Sequence, residues 1–271
     1  MTIATSTKPP KAWPVTVFMV AIHLLALLAF LPANFSWSAV ALCVFLHWLT
    51  AACGITLGWH RLLTHRSFVV PQWLEYVFVF CGTLAMQGGP IWWVGLHRHH
   101  HLYSDQNVDH HDSSKGFWWS HMEWMFYEVP AADEIPRFTK DIAHDPFYRF
   151  LDKHFVLVQA AFAVFLYLVG GWSFLVWGGF LRLVLVYHTT WLVNSATHKF
   201  GYRSHKSGDR STNCWWVALI SYGEGWHNNH HAYQYSARHG LKWWEIDITW
   251  WMISGLKALG LARKIKLVGD V

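Results

Sequence analysis

The sequence is poor in charge. Only 14% of its 271 residues are Asp, Glu, Lys or Arg, against about a quarter in an ordinary soluble domain, so little solubilising surface is available. Its four cysteines, Cys43, Cys53, Cys81 and Cys214, form no C-x-x-C pair. Three of them sit in apolar stretches, where a free thiol packs as a small hydrophobe, and neither a disulfide framework nor a thiolate metal site is expected. No H-E-x-x-H occurs, which leaves a zinc peptidase unsupported. No break in composition divides the chain, and 1–271 reads as one domain.

What is abundant is apolar and imidazole. Hydrophobic residues make up 54% of the chain, with twenty tryptophans and twenty histidines. So many indoles suit the aromatic belts of a membrane protein. After a polar N-terminus, expected to be disordered through about residue 12, four apolar stretches approach the ~20 residues that cross ~30 Å of hydrocarbon. They run roughly Val15–Leu31, Ser36–Gly58, Phe155–Val169 and Trp172–Thr197. The first pair is joined by Pro32–Phe35 and the second by the Gly170-Gly171 break, which predicts two helical hairpins with short outer turns. Trp73–Met86 is about fourteen residues long and carries Glu75, which predicts an interfacial, re-entrant or buried helix rather than a span. Leu241–Leu261 interleaves tryptophans with Lys242, Glu245 and Asp247, the pattern of an amphipathic helix lying in the interface.

Every lysine and arginine except Arg182 falls in the N-terminus, the Arg61–Lys153 loop or the tail from Lys199 onward. The positive-inside rule therefore puts both termini and the large loop in the cytoplasm. The excess positive charge reads as topology, and no nucleic-acid partner is expected. Arg182, about ten residues into the fourth stretch, reads as a structural arginine bonded to carbonyls or to Tyr187 or His188, with a place beside a substrate channel as the alternative. The expected fold is an all-α integral membrane protein: four spans in two hairpins, interfacial amphipathic helices and a cytoplasmic helical cap.

That cap would carry the histidines. Three clusters stand out: His60-Arg-Leu-Leu-Thr-His65, His97-Arg-His-His100-His101 and His227-Asn-Asn-His230-His231. Helical residues three and four apart share a face, so His97, His100 and His101 project together, as do His227, His230 and His231, while His99 points elsewhere. His60 and His65, five apart, would diverge on an α-helix and suit a helix end facing two different metals. Asn194 and His198 share a face at the end of the fourth stretch. The lone histidines His23, His47, His144, His154, His205 and His239 read as surface or core imidazoles. Clustered imidazoles gain nothing as bland surface and are common ligands for Fe, Zn, Cu and Ni. Eight or nine exceed the four ligands of one tetrahedral zinc and suit two ions at four or five ligands each.

The series H-x4-H, H-x-x-H-H and H-x-x-H-H, in this order between paired apolar stretches, resembles the three histidine boxes of the membrane fatty-acyl desaturases. The spelling His60-Arg-Leu, His97-Arg with His100-His101, and His227-Asn-Asn-His-His is most like the Δ9, stearoyl-type branch. Asn194-Ser-Ala-Thr-His198 resembles that branch's additional ligand motif. Tyr103-Ser-Asp and Lys115-Gly-Phe-Trp-Trp-Ser-His121 look like cyanobacterial-type acyl-lipid enzymes. The resemblance implies two iron ions held by His60, His65, His97, His100, His101, His198, His227, His230 and His231, with Asn194 approaching one of them through a water. It implies O2 as co-substrate, a cis double bond placed at Δ9 in a saturated acyl chain, and electrons from a separate carrier, ferredoxin before cytochrome b5.

Two departures refine the expectation. Where animal enzymes read Asp-Pro-His this chain has Asp109-His110-His111, an additional histidine. Where acyl-CoA enzymes carry a basic pair for the nucleotide phosphates it reads Tyr127-Glu128, which favours an acyl chain esterified in a glycerolipid over acyl-CoA. Arg98 remains as a contact to the headgroup. Competing readings are a hydroxylase, ketolase or alkane monooxygenase on the same scaffold, since identical ligands support several outcomes, and a membrane metal transporter.

Overall fold

A computed structural model describes residues 9–129 and 132–269. The described residues are helical, with four isolated β-bridges and no strands. In chain order the α-helices are α1 (Trp13–Ala26), α2 (Trp37–His47), α3 (Gln72–Thr83), α4 (Pro90–Tyr103), α5 (Phe117–His121), α6 (Ile135–Phe138), α7 (Pro146–Phe174), α8 (Arg182–Ser195), α9 (Trp215–Ile220), α10 (His227–Ala232) and α11 (Ile248–Ala258). Local chemistry sets several starts. Ser36 Oγ accepts from Ala39 N to cap α2. Asp145 accepts from Phe147 N and Tyr148 N at α7, with Pro146 in the first turn, where its missing N–H costs nothing.

Three helical stretches are long and apolar enough to cross a membrane: Trp13–Phe30, Trp37–Thr64 and Pro146–His198. Only 22% and 11% of the most apolar windows of the first and third are buried. Apolar side chains such as Phe30, Trp37 and Leu168 therefore face outward, an arrangement that hydrocarbon tolerates and water does not. The third stretch is not one rod. Gly170 and Gly171 leave helical geometry, Gly171 with φ of 64°, a region glycine enters without a Cβ clash. Leu166 Cδ1 lies 3.4 Å from where a Cβ on Gly178 would stand. Along a straight helix those residues would be about 18 Å apart, so the chain folds back at the glycine pair. Ser173 Oγ and Trp177 Nε1 donate to Asn34 O, pinning this bend beside the turn that follows α1.

The helix begun by α2 continues as Trp48–Thr64 in π-helical form. Its Gly54 backs directly onto the Gly82 backbone of α3, and Gly58 onto Phe78; small residues here let two helices approach closely. α3 has only twelve residues, about 18 Å of helix, and is not among the stretches long enough to span. Arg182 is fully buried and donates to the carbonyls of Gly178 and Leu84, as a structural arginine should.

Two expectations change. Residues 1–8, most of the segment expected to be disordered, lie outside the described residues; residues 10–12 instead pair with 126–128, through Ala12 N to Phe126 O and Glu128 N to Pro10 O. The C-terminal helix is limited to Ile248–Ala258 because the carboxylates expected on its polar face turn inward. Asp247 caps it at Trp250 N and also takes Arg61, while Glu245 accepts from the backbone of Leu241 and Lys242.

Candidate metal centre

The long helices deliver the histidines to one end of the bundle. His60 lies near the end of the Trp48–Thr64 stretch and His65 just beyond it, His97, His100 and His101 line α4, His198 closes the turn after α8, and His227, His230 and His231 form α10. The structure gathers all nine into two groups, His60, His65, His97, His101 and His230 in one and His100, His198, His227 and His231 in the other. Within each group one nitrogen of every ring lies within 4.8 Å of the others. Both α4 and α10 contribute to both groups, which places the groups side by side.

His60 and His65 were expected to diverge, and they share one group. The reason is the π-helical turn between them, in which His65 N donates to His60 O and Thr64 Oγ1 to Trp59 O. Five-residue hydrogen bonding puts residues five apart on one face.

In the five-histidine group, Nε2 atoms face one another: His60 and His230 at 3.1 Å, His97 and His101 at 2.9 Å, His101 and His230 at 3.0 Å. His60 Nδ1–H donates to Glu224 Oε2 at 2.7 Å, so its Nε2 presents a lone pair. Lone pairs crowded in a buried pocket repel unless a cation sits between them. Two nitrogens at right angles, each about 2.1 Å from one ion, stand about 3.0 Å apart, which matches the observed contacts. In the four-histidine group the Nε2 atoms of His100, His198, His227 and His231 are all buried without a hydrogen-bond partner. Orphaned buried acceptors are costly, and four converging on one point fit a metal ion.

The outward nitrogens are braced by carboxylates. His100 Nδ1 donates to Asp109 at 2.9 Å, His198 Nδ1 to Asp105 at 3.2 Å and His231 Nδ1 to Asp209 at 2.7 Å. Such partners fix tautomer and ring angle and raise ligand basicity. Glu224 serves His60, and also His239 at 3.3 Å and the buried guanidinium of Arg61, which Asp247 holds from the other side. Burial works to raise Asp109, Asp105, Asp209 and Glu224, but the facing imidazoles, with Arg61 beside Glu224, outweigh it and hold all four below the usual carboxylate range. Burial and neighbouring imidazoles drive His65, His97, His101, His227 and His230 well below the ordinary histidine value. His231 falls to about 4, with Asp209 opposing its burial. His100 alone among them is raised, because Asp109 outweighs its burial. The six depressed rings are held neutral, as ligation requires.

An apolar cavity of about 720 Å3 runs up to the histidines, with His97, His111 and Asn194 in its wall and Tyr127, Glu128 and Asp152 elsewhere on its lining. Beside His97, Trp93 Nε1 donates to Gln87 Oε1 and Gln87 Nε2 to Thr190 Oγ1, which ties α4 to α8 across this wall. Asn194 and His110 both border the cavity; His110 packs against Trp124 and joins neither the five- nor the four-histidine group.

Arg98 is a correction. It was expected at a headgroup, yet all five of its donors are engaged internally, on Leu63 O, Thr64 O, Phe138 O and both oxygens of Asp141. It ties off the end of the helix that carries His60. Sequence reasoning missed the bracing groups Asp105, Asp109, Asp209, Glu224 and His239. For Glu224 a signal existed, since it stands three residues before His227. His239 reads as a lone histidine, but its ring lies 4.4 Å from that of His230.

Helices suited to hydrocarbon, carrying two histidine groups at the head of an apolar cavity, define a metal-binding membrane protein that handles a long apolar molecule. Residues 35–260 match the fatty acid desaturase family model, and the chain belongs to that family. It is 63% identical over 267 residues to the sn-1 stearoyl-lipid 9-desaturase of Anabaena variabilis, covering 98% of each chain. It is 62% identical to the protein of the same name from Synechocystis sp., over 96% of this chain and 82% of the other. It is 52% identical to the sn-2 palmitoyl-lipid 9-desaturase of Nostoc sp. strain 36, over 95% and 91%.

Proposed function

We propose that the protein is an O2-dependent acyl-lipid desaturase that introduces a cis double bond at Δ9 into a saturated chain esterified in a membrane glycerolipid. The observation that carries this reading is the meeting of the two histidine groups with an apolar cavity; kinship with proteins named for 9-desaturation of lipids supports the position and the lipid form. The nine histidines would hold two iron ions, with Asn194 reaching one through a water. Bound iron supplies the O2 chemistry that removes hydrogen from an unactivated methylene.

The chain's own share is placement. The cavity wall fixes an acyl chain against His97 and keeps water away, and the Trp93–Gln87–Thr190 ties hold that wall rigid. Asp105, Asp109, Asp209 and Glu224 keep the imidazoles in one tautomer. Glu128 on the cavity lining disfavours a phosphorylated nucleotide, and so acyl-CoA. The bend at Gly170-Gly171 supports reading the third apolar stretch as two spans, giving four in two hairpins within a single domain. The distribution of lysine and arginine supports a cytoplasmic metal centre. Electrons would come from an external carrier, a ferredoxin before cytochrome b5.

Expression in a host lacking unsaturated fatty acids, followed by gas chromatography with double-bond localisation and lipid-class analysis, tests this. Cis-9 monoenes in intact glycerolipids are expected. Hydroxy or keto products without new double bonds would assign the same scaffold to hydroxylation instead.

A further inference from the structure

Desaturation balances as R–CH2–CH2–R + O2 + 2 e− + 2 H+ → R–CH=CH–R + 2 H2O. The substrate gives up two electrons, and the other two that reduce O2 to water must enter from outside the protein. The surface through which they enter is legible in the segment 199–211, between the end of α8 and α9.

The inner side of this segment is fastened to the four-histidine group. Asp209 accepts from His231 at 2.7 Å. Arg210 N donates at 2.7 Å to Asp105, the carboxylate that also takes His198. Ser204 N and His205 N both donate at 2.8 Å to Asn228 Oδ1, one residue past His227. The outer side is cationic: Lys199, Arg203, Lys206 and Arg210 are exposed. No carboxylate pairs with any of the four among the described residues, and all four fall between residues 199 and 210. The one carboxylate in the segment, Asp209, is turned inward. A shallow depression lined by Arg203, Ser204, His205, Lys206, Gly208 and Asp209 opens on this face. Four unpaired cations on one short segment attract an anionic surface and speed its encounter in a salt-dependent way.

We propose that the 199–211 segment is the docking surface for a small acidic one-electron carrier protein, and that the Asp209–His231 contact is where the carrier comes nearest the metal centre. One carboxylate and one imidazole then separate the cationic surface from the metal-facing nitrogen of His231. This rests on the reading that an external carrier feeds the enzyme, and it goes further by naming the residues that receive it.

The test uses the full chain, iron-loaded, in phosphatidylcholine nanodiscs, and compares it with the double variant Arg203→Glu/Lys206→Glu. A plant-type [2Fe–2S] ferredoxin with its reductase serves as electron source in one arm and dithionite in the other. The variant is expected to raise the KM for ferredoxin at least tenfold and to flatten the fall of rate with added salt. Its iron content and dithionite-driven product yield should match the parent's. An unchanged KM with unchanged salt dependence overturns the docking surface. An equal loss with dithionite also overturns it, by showing that the segment supports the metal centre. A repeat in nanodiscs containing phosphatidylglycerol covers the remaining occupant: a defect seen only there means that the surface holds anionic lipid. If the parent turns over with dithionite and not with ferredoxin, the ferredoxin reading fails and the docking surface with it, while the desaturase reading stands.

Discussion

In the four-histidine group three of the four imidazoles donate outward to an aspartate, whereas in the five-histidine group one of five, His60, donates to a carboxylate. The five-histidine group is held by packing instead. His97 stacks on Trp93, and the rings of His60, His65, His101 and His230 stand edge to face at 4.6 to 4.8 Å. The two groups also look in different directions. His97 of the first borders the cavity, while His198 and His231 of the second lie behind the cationic 199–211 segment. Aspartate-braced imidazoles are stronger donors in a fixed tautomer, so the second group should hold its ion more tightly.

The strongest way to break the comparison is to remove one ligand from each group. On the proposed function, His227→Ala and His230→Ala should both abolish the double-bond product, because each removes a ligand from one of the two proposed iron sites. Each should lower the iron content from about two per chain toward one. Iron analysis beside product analysis checks this; an inactive variant that still held both ions would contradict the assignment.

Next in size is Glu224→Gln. Glu224 is the one carboxylate bracing the five-histidine group, and it faces the fully buried Arg61. Removing one partner of a buried pair costs about 3–5 kcal/mol, here softened because Asp247 also holds Arg61. Lower thermal stability and lost activity are expected together. Asp209→Asn should lower the affinity of the four-histidine group for its ion, since bracing groups of this kind are worth about 10–100-fold in metal binding. A chelator titration would then show the four-histidine ion leaving first, reversing the parent's order.

Acid offers a cruder comparison. The depressed histidines favour the neutral ring in the folded state. Between the ordinary histidine value of about 6.5 and the folded value, for His231 about 4, the unfolded chain binds protons that the folded chain does not. Stability of the metal-stripped protein therefore rises with pH and is lost as pH falls through this window. His100, raised by Asp109, opposes the trend, but it is outnumbered by His65, His97, His101, His227, His230 and His231. Thermal unfolding of the stripped protein at pH 8, 7, 6 and 5 should show melting temperatures declining below about pH 6.5. A flat series would mean that the rings already bind protons in the fold.

The nine histidines were legible because spacing on a helix is a local property: three and four residues apart means one face, and α4 and α10 obey it. The helix bearing His60 did not, because a π-helical stretch cannot be told from an α-helical one by apolar patterning, and the faces of His60 and His65 were therefore misjudged. The bracing carboxylates escaped for a different reason. Asp209 and Asp105 reach His231 and His198 from loops 22 and 93 residues away in sequence, and only the closed fold makes them neighbours. The four-residue spacing of Gly54 and Gly58 names no partner by itself, and only the fold shows α3 lying on both.

Arg98 gives the smallest effect and the sharpest separation of structure from chemistry. It sits inside the second box, between two histidines of the metal centre, where a charged residue invites a functional reading. Its five donors instead satisfy Leu63 O, Thr64 O and Phe138 O and pair with Asp141. Truncating it strands carbonyls at the end of the helix carrying His60, which costs about 1–3 kcal/mol for a buried unsatisfied group. The pair with Asp141 adds little, because that carboxylate is partly exposed and keeps Arg66. Arg98→Ala should therefore lower the melting temperature by several degrees while leaving the turnover per bound iron and the KM for lipid within twofold of the parent. A KM for lipid raised tenfold with unchanged stability would return Arg98 to the headgroup. The same change read through the metal centre should loosen the five-histidine group before the four-histidine one, since only the former contains His60 and His65 at the helix end that Arg98 secures.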